Sequence, residues 1–469
     1  MESPPLKLSV GRGEDRISTL PDELLLRILE RLDLLEAVRA GAVSTWWRHL
    51  PRQLSVLMLG IHDMPVENMD AFTGALMSVC PPADRNCECQ RAAVPSRRSS
   101  IGSAVQDVIS RGKTRCLVFQ ISPPLVDNNT AQQLAELGQQ FMSFSRAYQV
   151  AFRWLTRLHL RSFAFGDITD LITACDKLKH LNMRSCRLVD RRSALKIGAP
   201  YSGLQELEFT HFGCKRIELI SVPKLRTMLC HSWRSKNPPV RFGYVPELCK
   251  VSLTREAKVW QAPFLLSECL SRSATNLSKL HLNFCHQMIW INPEHPKQLT
   301  AIFRNLADVS LSGIFPECDL SWTLFILEAA PALQKFTLSR AQLCAKTAVD
   351  SAEKTNLVWE PSKDFKHLNL KKLAFQGFEE EDKVTSYIRL VMERAVGLKR
   401  IVLLGELPCQ DCNDCKRKCM LGELPSKDCN DCKRKCTVDK ARRHRVKVQL
   451  AHGSCSSVEI IICTLKCHH

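Results

Sequence analysis

The chain has 469 residues, 45% of them hydrophobic, which suits two or three globular domains or one extended repeat array. No run reaches the roughly 18 apolar residues that span a bilayer, and the start, MESPPLKLSVGRGEDR, lacks the apolar core of a signal peptide; no membrane-spanning helix and a cytoplasmic or nuclear location are expected. A formal net charge of +18 favours acidic partners by general attraction, without establishing a nucleic-acid role.

The stretch Asp15 to Leu54 reads as a compact helical docking module. Leu20 and Pro21 open a helix, with Asp22 and Glu23 where the helix dipole favours negative charge. Leu24, Leu25, Ile28, Leu29 and Leu32 fall on one face at helical spacing. A second short helix is predicted from Leu35 to Val43, burying Val38 and Val43, and a third turn from Ser44 carries Trp46 and Trp47. A segment of about 40 residues rarely buries enough apolar surface to stand alone, so this face packs on the rest of the chain or on a partner.

Beyond it, Leu54 to Leu59 reads as a strand and Asn68 to Val79 as a helix. Residues 80–103, rich in Pro, Ser and charge without periodicity, read as a loop. A strand at Cys116 to Phe119 and a helix from Thr130 to Val150 follow.

Then a repeat begins. The pattern Leu-x-x-Leu-x-Leu, with conservative replacements, recurs ten times, starting at Leu155, Leu178, Leu204, Leu225, Leu248, Leu277, Leu306, Leu333, Leu370 and Leu398. Most spacings fall in the twenties, the period of leucine-rich repeats, in which each unit gives one strand to a curved parallel sheet. Helix-like pieces lie between, at Thr169 to Cys175, Phe264 to Ser273, Thr323 to Ala330 and Val384 to Val396. The expected fold is therefore α/β, a small helical module followed by an irregular solenoid with helices and loops outside its sheet.

In such a strand the third, fifth and seventh positions point away from the core. They hold Arg157, His159, Arg161, His180, Asn182, Arg184, Lys250, Lys279, His281, Lys335, Lys372 and Arg400, against Glu206, Glu208 and Asp308. This predicts a positive concave face that selects an acidic or phosphorylated segment of a protein, bound through Arg157, His159, Arg161, Arg184, Lys250, Lys279, His281 and Lys335.

The tail carries a tandem duplication: LGELPCQDCNDCKRKC from Leu404 returns as LGELPSKDCNDCKRKC from Leu421. Cys409, Cys412, Cys415 and Cys419 have the spacing of one iron–sulfur ligand run and could equally hold zinc. Against a cluster, Met420 stands where proline follows in that run and Ser426 replaces the first cysteine of the second copy. Copying of one exposed loop explains the identical spacing without chemistry, so no cofactor is expected. Scattered cysteines such as Cys175, Cys186 and Cys285 read as free thiols used as small hydrophobes. Basic triplets at Lys416 to Lys418 and Lys433 to Lys435 have no interleaved aromatics for stacking on single strands, so nucleic acid is not the expected partner. No Gly-x-Ser-x-Gly elbow, phosphate loop or paired His-Glu motif occurs, and no catalytic residue is predicted. A basic helix from Val438 to Leu450 and a strand at Val458 to Ile462 close the chain.

The order Leu20-Pro21, Leu24-Leu25, Ile28-Leu29, Leu32, Ala37-Val38-Arg39, Val43-Ser44, Trp47-Arg48 resembles the F-box. Asp33 departs from that family's usual proline, and Thr45-Trp46 from its usual basic pair. The repeats, with Pro408-Cys409 and the last strand, resemble grass-type plant F-box proteins with degenerate leucine-rich repeats and an FBD-type ending. The resemblance implies a three-helix F-box that docks a Skp-type adaptor, and through it a cullin scaffold, using Leu20, Pro21, Leu24, Leu25, Ile28, Leu29, Leu32, Val38, Val43 and Trp47. It implies a non-catalytic substrate receptor of a ubiquitin ligase, with a metal- or redox-responsive regulator or a nucleic-acid binder as the alternatives. The expected limits are an F-box over 14–54, a linker and first irregular region over 55–150, repeats over 151–404 and the FBD-like end over 405–469.

Overall fold

Every one of the ten Leu-x-x-Leu-x-Leu segments contributes a strand, and all thirty pattern positions are buried, the most accessible being Leu398 at 6%. Alternation along a strand sends the fourth and sixth positions into one core, and the first caps it from the preceding turn. The computed structural model describes residues 17, 20–32, 36–37, 39–40, 47, 50–62, 116–122, 131–147, 149–233, 235, 238–255, 262–340, 357–405, 440–451 and 458–463. The chain divides into two compact units, Met1–Leu160 with Ala174–Leu178, and Arg161–Thr173 with Lys179–His469.

The first unit holds a helix at Asp22–Leu29, a 3-10 turn at Leu50–Gln53, and strands β1 (Val56–His62) and β2 (Cys116–Ser122). Helices Ala131–Ala147 and Gln149–Trp154 lead into β3 (Leu155–Arg161). β1 pairs parallel with β2 and β2 with β3, the second ladder slipping between Leu117 and Val118. Phe141 and Phe152, edge to face at 6.0 Å, fasten the long helix to its successor. The predicted helix Asn68 to Val79, the loop over 80–103 and the cysteines of the duplicated tail lie outside the described residues.

The second unit continues with β4 (Ala164–Phe165), β5 (His180–Arg184), β6 (Arg187–Leu188), β7 (Leu195–Gly198), β8 (Glu206–Thr210), β9 (Ile217–Ser221), β10 (Thr227–Trp233) and β11 (Val240–Tyr244). Then come β12 (Lys250–Arg255), β13 (Lys279–Asn283), β14 (Asp308–Ile314), β15 (Lys335–Arg340), β16 (Lys372–Gln376), β17 (Arg400–Leu404) and β18 (Glu459–Cys463). Strands β5, β8, β10 and β12 through β18 form one parallel ladder in that order. Helices stand at Thr169–Ala174, Leu266–Cys269, Pro296–Phe303, Leu324–Ala329, Asp382–Arg394 and Lys440–Ala451.

The early repeats differ from the expected helices and loops. They carry a second parallel sheet, β11-β9-β7. The cause is period-two burial at Leu195 and Ile197, Ile217 and Leu219, and Val240 and Phe242, which a helix would turn to different faces. The closing strand predicted at Val458 to Ile462 is β18, paired with β17 through Arg400↔Glu459 and Ile401↔Ile460.

Three devices hold the rungs in phase. At each strand start one carbonyl accepts two amides, as when Cys249 O receives Ser278 N at 3.0 Å and Lys279 N at 2.9 Å, and the same fork recurs from β8 to β17. At strand exits the chain turns through left-handed residues: Ser185, His211, Ser232, Cys285, His286, Gly313 and Gly377. A Cβ on Gly377 would collide with the Arg340 carbonyl, so glycine is required there. The third device is an asparagine just before the first leucine of a repeat, which donates Nδ2 to a carbonyl of the preceding one. Asn276 reaches Pro246 O at 2.7 Å, Asn305 reaches Thr275 O at 2.6 Å and Asn369 reaches Pro331 O at 2.9 Å.

Candidate protein-binding surfaces

In the first unit the apolar face read from helical spacing divides into two stripes. Leu25 and Leu29, one turn apart, are 3% and 0% exposed, with Ala37, Leu50 and Leu54 also buried. Leu24 and Ile28, equally one turn apart, are 45% and 43% exposed; Ile17 and Pro21 are exposed as well. Leu20, Leu32 and Trp47 are half-buried, while Val38 and Val43 lie outside the described residues. The helix thus uses one stripe to hold its own fold and presents the other. Pro21 stands at the N-cap, Asp22 and Glu23 occupy the first turn, and Glu30 accepts from Ser55 Oγ at 2.7 Å and Ser55 N at 3.2 Å, tying the helix end to the approach to β1.

The second surface is the outward face of the strands. Arg157 and His159 belong to the first unit, and Arg161, Arg184, Lys250, Lys279, His281 and Lys335 to the second. Within the second unit, strand register brings the third positions into one row: His180, Glu206, Thr227, Lys250, Lys279, Asp308, Lys335, Lys372, Arg400 and Glu459 are successive Cα partners. The positive charge predicted for this face is locally neutralised. His180 Nδ1 lies 3.0 Å from Glu206 Oε2, Lys335 Nζ 3.1 Å from Asp308 Oδ2, and Arg400 Nε 2.8 Å from Glu459 Oε2. Glu208 titrates above the usual carboxylate range, through burial and then the neighbouring Glu206 charge. The β5–β8 end is therefore mixed in sign.

At the fifth and seventh positions of β10 and β12 to β14 the face is hydroxyl-rich, beside the exposed Lys250 and Lys279 of the third-position row. His281 lies between Ser252 Oγ, 3.2 Å from Nδ1, and Ser312 Oγ, 2.8 Å from Nε2; His231 Nδ1 lies 3.1 Å from Thr254 Oγ1. Burial first, then the His231 and Lys250 charges, push the His281 pKa down to about 4, so the ring is neutral at pH 7. Both its nitrogens are occupied by hydroxyls, which leaves none for a carboxylate to orient as in a catalytic triad. Sequence reasoning missed this pairing because it joins residues about 30 positions apart. Register would have found it once the repeat was aligned.

Among the described residues no group of three or more His, Cys, Asp and Glu could hold a metal. Cys409, Cys412, Cys415 and Cys419 lie outside those residues. Burial pushes the Cys175, Cys186, Cys214, Cys269 and Cys318 thiols up to about 12, which keeps them protonated and inert. No helix among the described residues is long and apolar enough to cross a membrane.

Against known proteins, residues 109–451 match a family model described as At1g61320/AtMIF1, LRR domain, and residues 17–54 match one described as F-box-like. The chain is 26% identical over 419 residues to the F-box/FBD/LRR-repeat protein At3g52680 of Arabidopsis thaliana, covering 82% of this chain and 84% of that protein. Shorter matches join it to the F-box protein At1g60400 of the same plant (41% over 71 residues, 14% of this chain and 18% of that protein). The putative F-box/FBD/LRR-repeat protein At5g44950, also of that plant, is 42% identical over 55 residues, 12% of this chain and 13% of that protein. These two matches span less than a fifth of either relative's length.

Proposed function

The chain belongs to the family of the At1g61320/AtMIF1 leucine-rich-repeat domain and carries an F-box, and from that membership we propose that it is the substrate-recognition subunit of a Skp-cullin-F-box ubiquitin ligase. The F-box docks a Skp-type adaptor, the adaptor links it to the cullin, and the repeats bind a target protein. Residues 14–54 make the F-box, 55–150 a linker and first irregular region, 151–404 the repeats, and 405–469 the FBD-like end. The chain itself performs no bond chemistry. Its contribution is proximity, because holding the target's lysines near the charged carrier turns a bimolecular encounter into a tethered one. This role places it in the cytoplasm, the nucleus or both.

The observation that carries the reading is the open apolar stripe. Leucine and isoleucine at 45% and 43% exposure on a helix whose other stripe is fully buried form a docking surface that water covers poorly. Leu24 and Ile28 make the contact, with Pro21 and Leu20 beside them. Leu25 and Leu29 hold the helix in place, and Leu32, Val38, Val43 and Trp47 complete the module. The test is capture of purified Skp-type adaptor by the full chain. The double change Leu24→Glu with Ile28→Glu is expected to abolish capture while the thermal unfolding of the repeats stays unchanged. Undiminished capture overturns the proposal.

A further inference from the structure

Three successive turns on the strand-entry rim of the ladder expose apolar side chains. Leu368 is 70% exposed and Val396 59%, each two residues before the first leucine of its repeat, and Pro331 holds that position in the repeat before them and is exposed as well. The two preceding repeats carry Thr275 and Arg304 there. A single exposed leucine is common on a protein surface, whereas an unbroken apolar row marks a contact surface.

The three turns are locked to one another. His367 donates its backbone N–H to Arg394 O at 2.7 Å, and its ring, which accepts Leu370 N at Nδ1 over 3.0 Å, donates Nε2–H to Ala330 O at 2.9 Å. One residue thereby ties the turn before it to the turn after it, and Asn369 adds its bond to Pro331 O. A Cβ on Gly397 would collide with the Leu368 carbonyl, so glycine is what lets the Val396 turn close against its neighbour. The row is therefore preorganised, and a ligand need not order it.

Cations flank the same two turns. Lys371 and Lys399, each three residues beyond Leu368 or Val396, are exposed, and Lys399 N donates to Lys371 O at 3.0 Å, which sets them side by side. Among the described residues neither lysine enters an ion pair. Ser278, Ala307 and Gln334 fill the equivalent position in the three preceding repeats, so the charge and the apolar row appear together at this end of the ladder.

We propose that this rim binds an acidic amphipathic helix of a partner protein, laid across the three turns. Spacing selects the helix. Neighbouring rungs lie about 4.8 Å apart, so the row spans about 10 Å, and helix residues at i, i+4 and i+7 fall at about 6 and 10.5 Å along the axis. An extended strand would place its same-face side chains about 6.7 and 13 Å apart and lose the match. Carboxylates beside the helix's apolar stripe then meet Lys371 and Lys399. The site lies off both the outward strand face and the F-box, so it goes beyond the receptor reading and stands independently of it.

The test uses the full chain and three designed peptides, followed by fluorescence anisotropy at low salt. Two are helical with leucine at i, i+4 and i+7 and either glutamate or lysine at the flanking positions; the third alternates leucine with glutamate as an extended strand. The acidic helix is expected to bind about tenfold more tightly than either of the others. Leu368→Ser with Val396→Ser should remove its binding, and Lys371→Glu with Lys399→Glu should erase its advantage over the basic helix. All four side chains are exposed, so the unfolding midpoint should hold in both variants. Lys196→Glu with Arg241→Glu, the same charge change on the β11-β9-β7 sheet, should leave the advantage intact and so separates this rim from general attraction to a chain of net charge +18. Equal binding of the acidic helix and the acidic strand, an advantage that survives reversal of Lys371 and Lys399, or an equal loss in the control variant overturns the proposal. Self-association of the full chain that disappears in Leu368→Ser with Val396→Ser would give the rim to a second copy and overturn it too.

Discussion

Leucine plays opposite parts in the two units. In the second unit every pattern position is closed away, whereas on the Asp22–Leu29 helix of the first Leu24 and Ile28 stand almost half open. The same side chain is thus a mortar in one region and a contact in the other, and the difference lies in what stacks on it. Each ladder strand has a neighbour that supplies the other half of its core. The short helix has enough neighbours to cover one stripe, while the second stays exposed. Apolar spacing therefore reports a face, and only packing reports whether the face is a core.

The sharpest way to break this comparison is to truncate one leucine from each region. Leu282→Ala, in the core beneath β13, should cost about 3 kcal/mol of stability in denaturant unfolding. Leu24→Ala should cost less than about 0.5 kcal/mol, since its site is already in water. Equal losses would dissolve the distinction. The complementary experiment reads binding: Leu20→Ala with Pro21→Ala should lower adaptor capture more than tenfold while the repeats unfold at their usual denaturant concentration. A shifted unfolding midpoint would mean that these residues serve the fold.

A third test exploits acid. The His281 pKa is depressed in the fold, so below about 6.5 the unfolded chain takes up a proton that the folded chain refuses. The stability associated with the neutral ring is complete above that pH and drains away as pH falls toward about 4, by on the order of 2 kcal/mol. His281→Gln should flatten that part of the stability profile. An unchanged profile would show that the ring is better hydrated than its hydroxyl neighbours imply.

Much of this architecture was legible beforehand. The ten strands follow from the Leu-x-x-Leu-x-Leu recurrence alone, and β18 from the Ile460-Ile461-Ile462 run. The β11-β9-β7 sheet was not foreseen, although Ile217-x-Leu219 and Val240-x-Phe242 alternate visibly, because two-residue alternations are too short to stand out. The Pro296–Phe303 helix was not foreseen either, although Pro296 stands where proline opens a first turn and Leu299, Ile302 and Phe303 follow at helical spacing. Charge on the outward face could be listed from sequence, but its cancellation could not. The pairing of Lys335 with Asp308 depends on register, which only the folded ladder supplies.

Smaller effects refine the picture. Ser185 adopts a left-handed conformation at the exit of β5, so Ser185→Gly should raise stability by about 0.5 kcal/mol, read from the unfolding midpoint. A decrease would show that its side chain, rather than its backbone, matters at that turn. The least effect is expected from chelator. Since the repeats bury their own core, the melting temperature should stay unchanged, and a fall of several degrees accompanied by stoichiometric zinc or iron would assign a structural metal to the Cys409–Cys419 run.

The asparagine bonds between repeats carry a consequence for how such a chain can change over time. Asn276 and Asn305 each reach back 30 residues, whereas Asn369 reaches back 38, yet its bond is of ordinary length and the β15–β16 register runs unbroken from Lys335↔Lys372 to Ser339↔Gln376. Eight additional residues are absorbed between two rungs without shifting the phase of either. A change of length in that interval therefore need not shift the ladder, provided that Trp359, His367 and Asn369, which bond Glu328, the Ala330 carbonyl and the Pro331 carbonyl, are kept. A lineage of such proteins can drift far in sequence and diversify there first, and an engineered tag or sensor placed in the same interval should leave the rungs on either side undisturbed.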